Sequence, residues 1–341
     1  QFIRPRFHIT IMRLFQPPVT PLPDDLDLDG QTAIVTGATS GIGLALAKQL
    51  ILLRASTVVL AVRNTSKGES VKRELLDDAA IKSANPNVIV NVIKMDAEGY
   101  GSIQSFAKAF CSEHKDLHIL MLNAGVPGLK RHVSATKHEA TVQVNYLSNV
   151  LLMLELLPLL ESTAERTRSP GRVTWTGSRA IGNTSLATKA PLAPGESVLE
   201  HLDAEANFYG LSRYADSKLL VFLFLRELQQ HLGSEKVIVN AFCPGMVKTA
   251  MSDVLPLPLR LAVNAVKAIR ARSPKQSGWI GLHAAVVVGA ETHGKQLGDK
   301  DIWEPEGYAN TDDGMRLQKL LWKETADEMS KFTQVPEWMS S

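Results

Sequence analysis

Tyr214 and Lys218 stand four residues apart in the run Tyr214-Ala215-Asp216-Ser217-Lys218, a spacing that puts a phenol and an ammonium on one face of a helix. A free phenol titrates near pH ~10, too high for easy proton exchange at neutrality, and a neighbouring cation stabilises phenolate and lowers that value. The pair is therefore a candidate proton relay, with Tyr214 as general acid in a reduction or base in an oxidation. Ser178 follows the extended run Arg172 to Thr176 and is placed to hydrogen-bond a substrate oxygen. A different chemistry is written in Thr36-Gly37-Ala38-Thr39-Ser40-Gly41-Ile42-Gly43, which lies between an apolar β-branched run and a helix-period stretch. Such a turn brings a dinucleotide pyrophosphate onto backbone amides and a helix N-terminus. Arg63 and Asn64 close the next extended run, where no carboxylate stands to hold ribose hydroxyls. The Arg63 guanidinium offers a fork of donors to a ribose 2′-phosphate, which favours NADP(H) over NAD(H).

The elements that must carry these residues alternate along the chain. Strands are expected at Thr32 to Thr36, Thr57 to Val62, Val88 to Met95, His118 to Leu122, Arg172 to Thr176 and Val237 to Phe242. Helices are expected at Leu44 to Leu53, Val71 to Lys82, Gly101 to Glu113, about Thr136 to Leu160, and about Tyr214 to Leu232. A last strand at Ala284 to Val288 and the glycines after it completes about seven. Strands separated by helices imply a Rossmann-type, doubly wound α/β fold, a parallel sheet with helices on both faces.

Bulk properties narrow the function. Lys plus Arg number 37 against 35 Asp plus Glu, so no global field holds nucleic acid or an anionic membrane. Cys111 and Cys243 stand far apart, without metal-ligand spacing or a disulfide framework, so no metal site and a cytoplasmic setting are expected. The apolar stretch Val150 to Leu160 is broken by Glu155 and Pro158 and falls short of the roughly 18 residues of a membrane span. It reads as a buried helix. Residues 1–27 read as an extended leader, whose Arg4, Arg6 and Arg13 interleave with Phe2, Ile3, Phe7 and Ile9. No secretory signal is indicated.

Taken in order, these motifs resemble the short-chain dehydrogenase/reductase family, in its single-domain branch with the Thr-Gly-x-x-x-Gly-x-Gly turn. The resemblance runs from about Leu28 to Lys331 and leaves residues 332–341 as a tail. It adds Asp96 after the third strand, Asn123-Ala124-Gly125 after the fourth, Asn145 in the long helix, and Pro244-Gly245 after the sixth strand. It implies a tetrad of Asn145, Ser178, Tyr214 and Lys218. In that scheme Tyr214 protonates a carbonyl oxygen as hydride arrives, Ser178 orients the oxygen, Lys218 tunes the phenol and holds the nicotinamide ribose, and Asn145 supports a linking water. Asp96 would lie by the adenine, Asn123 to Gly125 under the cofactor, and Pro244, Gly245, Val247 and Thr249 along the nicotinamide.

The chain departs from the common family pattern in its interval from Ser178 to Tyr214, 35 residues where about a dozen is usual. That interval contains Tyr209 and Arg213, a second pair at the same spacing. Arginine does not give up a proton, so Tyr214 with Lys218 is preferred. The long interval is similar to the retinol-dehydrogenase-like branch and to fungal reductases that tailor secondary metabolites. Segments of about 179–213 and 250–277 are expected to act as lids. Leu255, Leu257, Leu259, Leu261 and Val263 suit a bulky apolar substrate, or equally packing within the lid. The expected activity is hydride transfer between NADP(H) and a bulky ketone, aldehyde or secondary alcohol; the alternative is a lyase, isomerase or cyclase on the same fold. The helices holding Leu151 to Leu160 and Leu219 to Leu225 either form a homodimer seam or face the sheet.

Overall fold

The computed structural model describes residues 16–249, 255 and 257–340. The leader's three arginines, and the start of the second lid segment, lie outside the described residues.

Fully buried β-branched runs form β1 (Thr32–Thr36) and β2 (Thr57–Val62), as expected for strands covered on both faces. Between them α1 (Gly41–Leu52) buries Leu46, Leu50 and Ile51. Asn64 caps α2 (Thr65–Asp77) by accepting from the Lys67 backbone N–H at 2.9 Å, and Asp78 then starts a new short helix, α3 (Ala79–Ala84). That second cap divides what the sequence reads as one helix. There follow β3 (Ile89–Lys94), α4 (Tyr100–Glu113), β4 (Ile119–Leu122), α5 (Ala140–Thr167), β5 (Gly171–Thr176), α6 (Val198–Asp203), α7 (Gly210–Leu228) and β6 (Val237–Cys243). The chain continues with α8 (Leu257–Arg270), α9 (Pro274–Leu282), β7 (Gln296–Gly298), β8 (Asp301–Ile302), α10 (Asp312–Met329) and α11 (Glu337–Ser340).

The strands form one sheet in the order β3-β2-β1-β4-β5-β6-β7-β8, parallel except for the β7–β8 pair. Strand order reverses between β1 and β4, which opens a crevice at their carboxyl ends. One apolar core packs α4, α5, α7 and α10 on one face, and a second packs α1, α2 and α9 on the other.

Three expectations change. Ala284 to Val288 is not a strand: the backbone of His283–Val287 extends α9 as a π-turn, and the parallel strand comes later, at Gln296–Gly298. The valines resemble a strand, but Ala284 and Ala285 pack in the core as helix residues. The long helix starts only at Ala140. Ser134 to Lys137 turns instead, with Lys137 at φ +76°, and Glu139 caps the helix by accepting from Val142 N–H. Finally, the 250–277 segment contains α8, whose Leu257 and Leu261 are 57% and 61% exposed and so do not pack within it.

Leu151 to Leu160 and Leu219 to Leu225 are largely consumed by the core of the single chain. Among the described residues, Ala140–Thr167 is the one helix long and apolar enough to cross a membrane, and 72% of its most apolar window is buried within the protein.

Candidate active site

The crevice is a cleft of about 570 Å³ whose floor is backbone from the β1–α1 turn and the β4 end. Gly37, Thr39, Ser40, Gly41, Ile42 and Gly43 line it, as do Asn123, Ala124 and Gly125. Gly43 packs so closely that a Cβ there would lie 2.4 Å from the Gly37 carbonyl oxygen and 2.6 Å from Asn123 Nδ2. Thr36 ties the two strand ends together, because its hydroxyl accepts both the Asn123 and Ala124 N–H groups at 2.8 Å. Asn123 Nδ2 in turn donates to the Thr36 carbonyl at 2.9 Å. Helix α1 opens into the cleft with no side chain capping its first amides. Unsatisfied amides at a helix N-terminus, beside glycine backbone, suit the pyrophosphate of a dinucleotide.

Arg63, Asn64 and Asp96 line the far wall with Lys67 and Glu98, which the sequence reading did not assign to the cleft. Asn64 is occupied as the α2 cap, and Asp96 accepts from the Glu98 N–H at 3.1 Å. Lys67 sits one helical turn beyond Asn64 and adds a second cation beside Arg63. Together they fit an anionic 2′-phosphate.

The candidate reacting side chains do not line this cleft and lie at the neighbouring strand end of Thr176. Lys218 is buried, and its Nζ donates to the Thr176 carbonyl at 2.6 Å while lying 5.7 Å from the Tyr214 ring centroid. Burial holds its ammonium down at about 8. Burial also pushes the Tyr214 phenol up to about 12, while a hydrogen bond from the Ser178 hydroxyl pulls the other way. The expected lowering of the phenol by Lys218 is therefore absent here: burial is the main cause of its raised value, and Ser178, not Lys218, pulls against it. Such a phenol is protonated at neutral pH and holds its proton more tightly than a free phenol does. Ser178 also accepts from the Ala180 N–H at 3.1 Å and so starts the turn Arg179–Asn183.

Asn145 lies in a π-turn, Gln143–Leu147, within α5. Its Oδ1 accepts the Val126 N–H at 2.7 Å, and its Nδ2 donates to the Val126 carbonyl at 3.0 Å and to Ser217 Oγ at 2.9 Å. Asn145 thus couples the cleft wall to the helix of Tyr214 and Lys218. Pi-bulges of this kind occur often at functional sites.

Thr249 lines the cleft, whereas Pro244, Gly245 and Val247 are not among its lining residues and belong to a loop held by other contacts. Arg272 anchors that loop by donating to the Pro244 carbonyl at 3.3 Å and pairing with Asp299 at 2.6 Å. Asp299 also pairs with Arg179 at 2.6 Å, next to Ser178. The leader joins this knot, since Gln16 bonds the backbone of Met246 and Arg270. The competing pair separates by environment. Arg213 is fully buried, with Glu139 and Asp216 carboxylates at 3.8 and 3.9 Å, while Tyr209 is partly exposed. Arg213 is a structural cation.

A nucleotide-sized cleft at the switch point, with a phenol, an ammonium and a hydroxyl beside it, defines a dinucleotide-dependent oxidoreductase. The chain belongs to the short-chain dehydrogenase/reductase family: the short chain dehydrogenase profile matches residues 31–190 and 202–257. It is 49% identical over 326 residues to the short chain dehydrogenase macD of Penicillium terrestre, spanning 96% of this chain and 99% of that one. The short-chain dehydrogenase/reductase tropG of Talaromyces stipitatus is similar to the same degree, with 49% identity and the same coverage. Among solved structures, the RhlG/NADP active-site complex of Pseudomonas aeruginosa shares the fold at a TM-score of 0.61 and 22% identity, covering 81% of this chain and 97% of that one.

Proposed function

We propose that the protein transfers hydride between NADP(H) and a bulky, largely apolar ketone, aldehyde or secondary alcohol, in the tailoring of a fungal secondary metabolite. The observation that carries this is the linkage of Lys218 through the Thr176 strand end to Asn123 on the cleft floor, with Thr176 Oγ1 3.2 Å from Asn123 Oδ1. The proton machinery is thereby built against the place where a nicotinamide would enter.

NADP(H) supplies or accepts the hydride when bound. Tyr214 holds the proton for a substrate carbonyl oxygen, as general acid in a reduction or base in an oxidation. Ser178 orients that oxygen while already touching the phenol. Lys218 keeps its positive charge beside the phenol while Tyr214 gives up its proton, and Asn145 fixes the backbone between cleft and catalytic helix. Arg63 and Lys67 take the 2′-phosphate.

The bulky substrate is supported by a second, shallower cavity of about 460 Å³ beside the first turn of α7, lined by Leu129, Tyr209, Leu211 and Leu255 among others. The outward apolar side chains of α8, Leu257, Leu261 and Ile269, lie on the lid segment next to it in sequence. Following NADPH consumption against a panel of small and bulky hydrophobic carbonyl compounds, with product identification, tests the reading. Turnover that rises with apolar bulk supports it. Uniform activity on small polar carbonyls, or product formation without NADPH consumption, contradicts it.

A further inference from the structure

The wall that carries Arg63 also carries a carboxylate. Glu98, in the loop between β3 and α4, lines the cleft with Arg63 and Lys67, and its Oε1 lies 3.5 Å from Arg63 Nη1. Its other oxygen lies 3.1 Å from His132 Nε2. The Glu98 N–H donates to Asp96 Oδ1, which fixes the loop backbone from which the carboxylate extends. Strand β2 ends without an acid, yet the cleft receives one from the neighbouring strand's loop.

We propose that Glu98 is a built-in competitor for the 2′-phosphate and sets how strongly the cleft prefers NADP(H) over NAD(H). This rests on the reading of Arg63 as the phosphate ligand. A carboxylate and a phosphate seek the same fork of N–H donors, so a 2′-phosphate entering the cleft must displace Glu98 from Arg63 or share the guanidinium with it. Arg63 is 70% exposed and Glu98 32%, so the pair is screened and readily broken. NAD(H) brings only a hydroxyl to this position and does not compete. Lys67 supplies the charge that lets phosphate win. The preference is therefore moderated, not maximal.

The test is calorimetric titration of NADPH and NADH, without substrate, into the parent, Glu98→Gln, Arg63→Ala and the double variant. Both positions are partly or largely exposed, and unchanged unfolding midpoints verify that the variants fold. Glu98→Gln is expected to tighten NADPH binding by roughly twofold to fivefold, the scale of an exposed ion pair, and to leave NADH unchanged. In the Arg63→Ala background the same substitution has no effect. Weaker NADPH binding in Glu98→Gln would make Glu98 an orienting partner of Arg63 instead. Equal tightening of both cofactors, or an effect that persists without Arg63, would also overturn the competition. Those outcomes remove only the role of Glu98; NADPH affinity indifferent to Arg63→Ala removes the phosphate reading as well.

Discussion

The two halves of the sheet build their parts of the candidate site by different means. At β1 and β4 the cleft floor is built of backbone, from uncapped amides, glycines in close contact and strand ends tied by Thr36, and only its far wall presents charged side chains, Arg63 and Lys67 among them. From β5 onward the site is built of side chains, and those are fixed by carboxylates and cations distant in sequence. Asp216, fully buried between Tyr214 and Lys218, accepts from Thr184 Oγ1, Ser185 N–H and Ser185 Oγ at 2.6–2.7 Å, fastening the long insertion to α7. Glu324 of α10 accepts the first amides of α6 at 2.9 Å, and Asp299 joins Arg179 to Arg272. The backbone-built floor tolerates changes in surrounding side chains, apart from the exposed cations of its far wall, whereas the second half depends on particular buried charges.

The largest expected effect falls on the second half. Tyr214→Phe removes one hydroxyl and should lower turnover by roughly a hundredfold to ten-thousandfold, the scale of general acid–base help, while NADPH binding stays near the parent value. Steady-state rates with parallel binding titrations check this. Parent-level activity would end the proton-transfer assignment.

Asp216→Ala should cost about 3–5 kcal/mol of stability, because it strips three hydrogen bonds and leaves Arg213 buried with Glu139 as its remaining carboxylate at 3.8 Å. Chemical denaturation measures it. A loss near zero would show that the insertion is not fastened through this residue. On the cofactor side, Arg63→Ala should weaken NADPH binding by roughly tenfold to a hundredfold and spare NADH, with added salt eroding the parent's preference.

A smaller effect concerns His138, which bridges Asp203 of α6 at 2.8 Å and Glu328 of α10 at 3.1 Å. Burial opposes its charge, but hydrogen bonds to the two carboxylates prevail and raise it from 6.5 to about 9. The hydrogen bond from His138 is the main cause that lowers Glu328 from 4.5 to about 2. A raised histidine contributes stability that is complete below pH 6.5 and is lost as pH climbs through about 9; the lowered carboxylate contributes above pH 4.5 and is lost as pH falls through about 2. Between pH 4.5 and 6.5 the bridge contributes in full. His138→Gln should flatten the alkaline arm of the stability profile by about 1–2 kcal/mol. An unchanged alkaline arm would show that the bridge is not coupled to folding.

The first half was legible in the sequence because its signals are local. A glycine turn between a buried strand and a helix, and Arg63 at the end of β2, each lie within a few residues of what they position. Tyr214, Lys218 and Ser178 carry the same kind of local signal. What joins them does not. Asp299 pairs with Arg179 across 120 residues and Glu98 with Arg63 across 35, and neither charge carries a pattern in its own neighbourhood. Strand β7 is three residues, Gln296–Gly298, too short and too polar for periodicity to show, whereas the valines before it resemble a strand and continue a helix. The π-turn around Asn145 leaves no trace in an apolar run that reads as ordinary helix.

The division of labour between the halves is tested most directly by measuring two quantities, NADPH dissociation constant and turnover at saturating NADPH, on Arg63→Ala and Tyr214→Phe side by side. The effects should not cross: Arg63→Ala weakens NADPH binding and keeps saturated turnover within about threefold of the parent, while Tyr214→Phe keeps the binding and loses at least about a hundredfold in turnover. Saturated turnover that falls as far in Arg63→Ala as in Tyr214→Phe, or NADPH binding that fails in both, would contradict it.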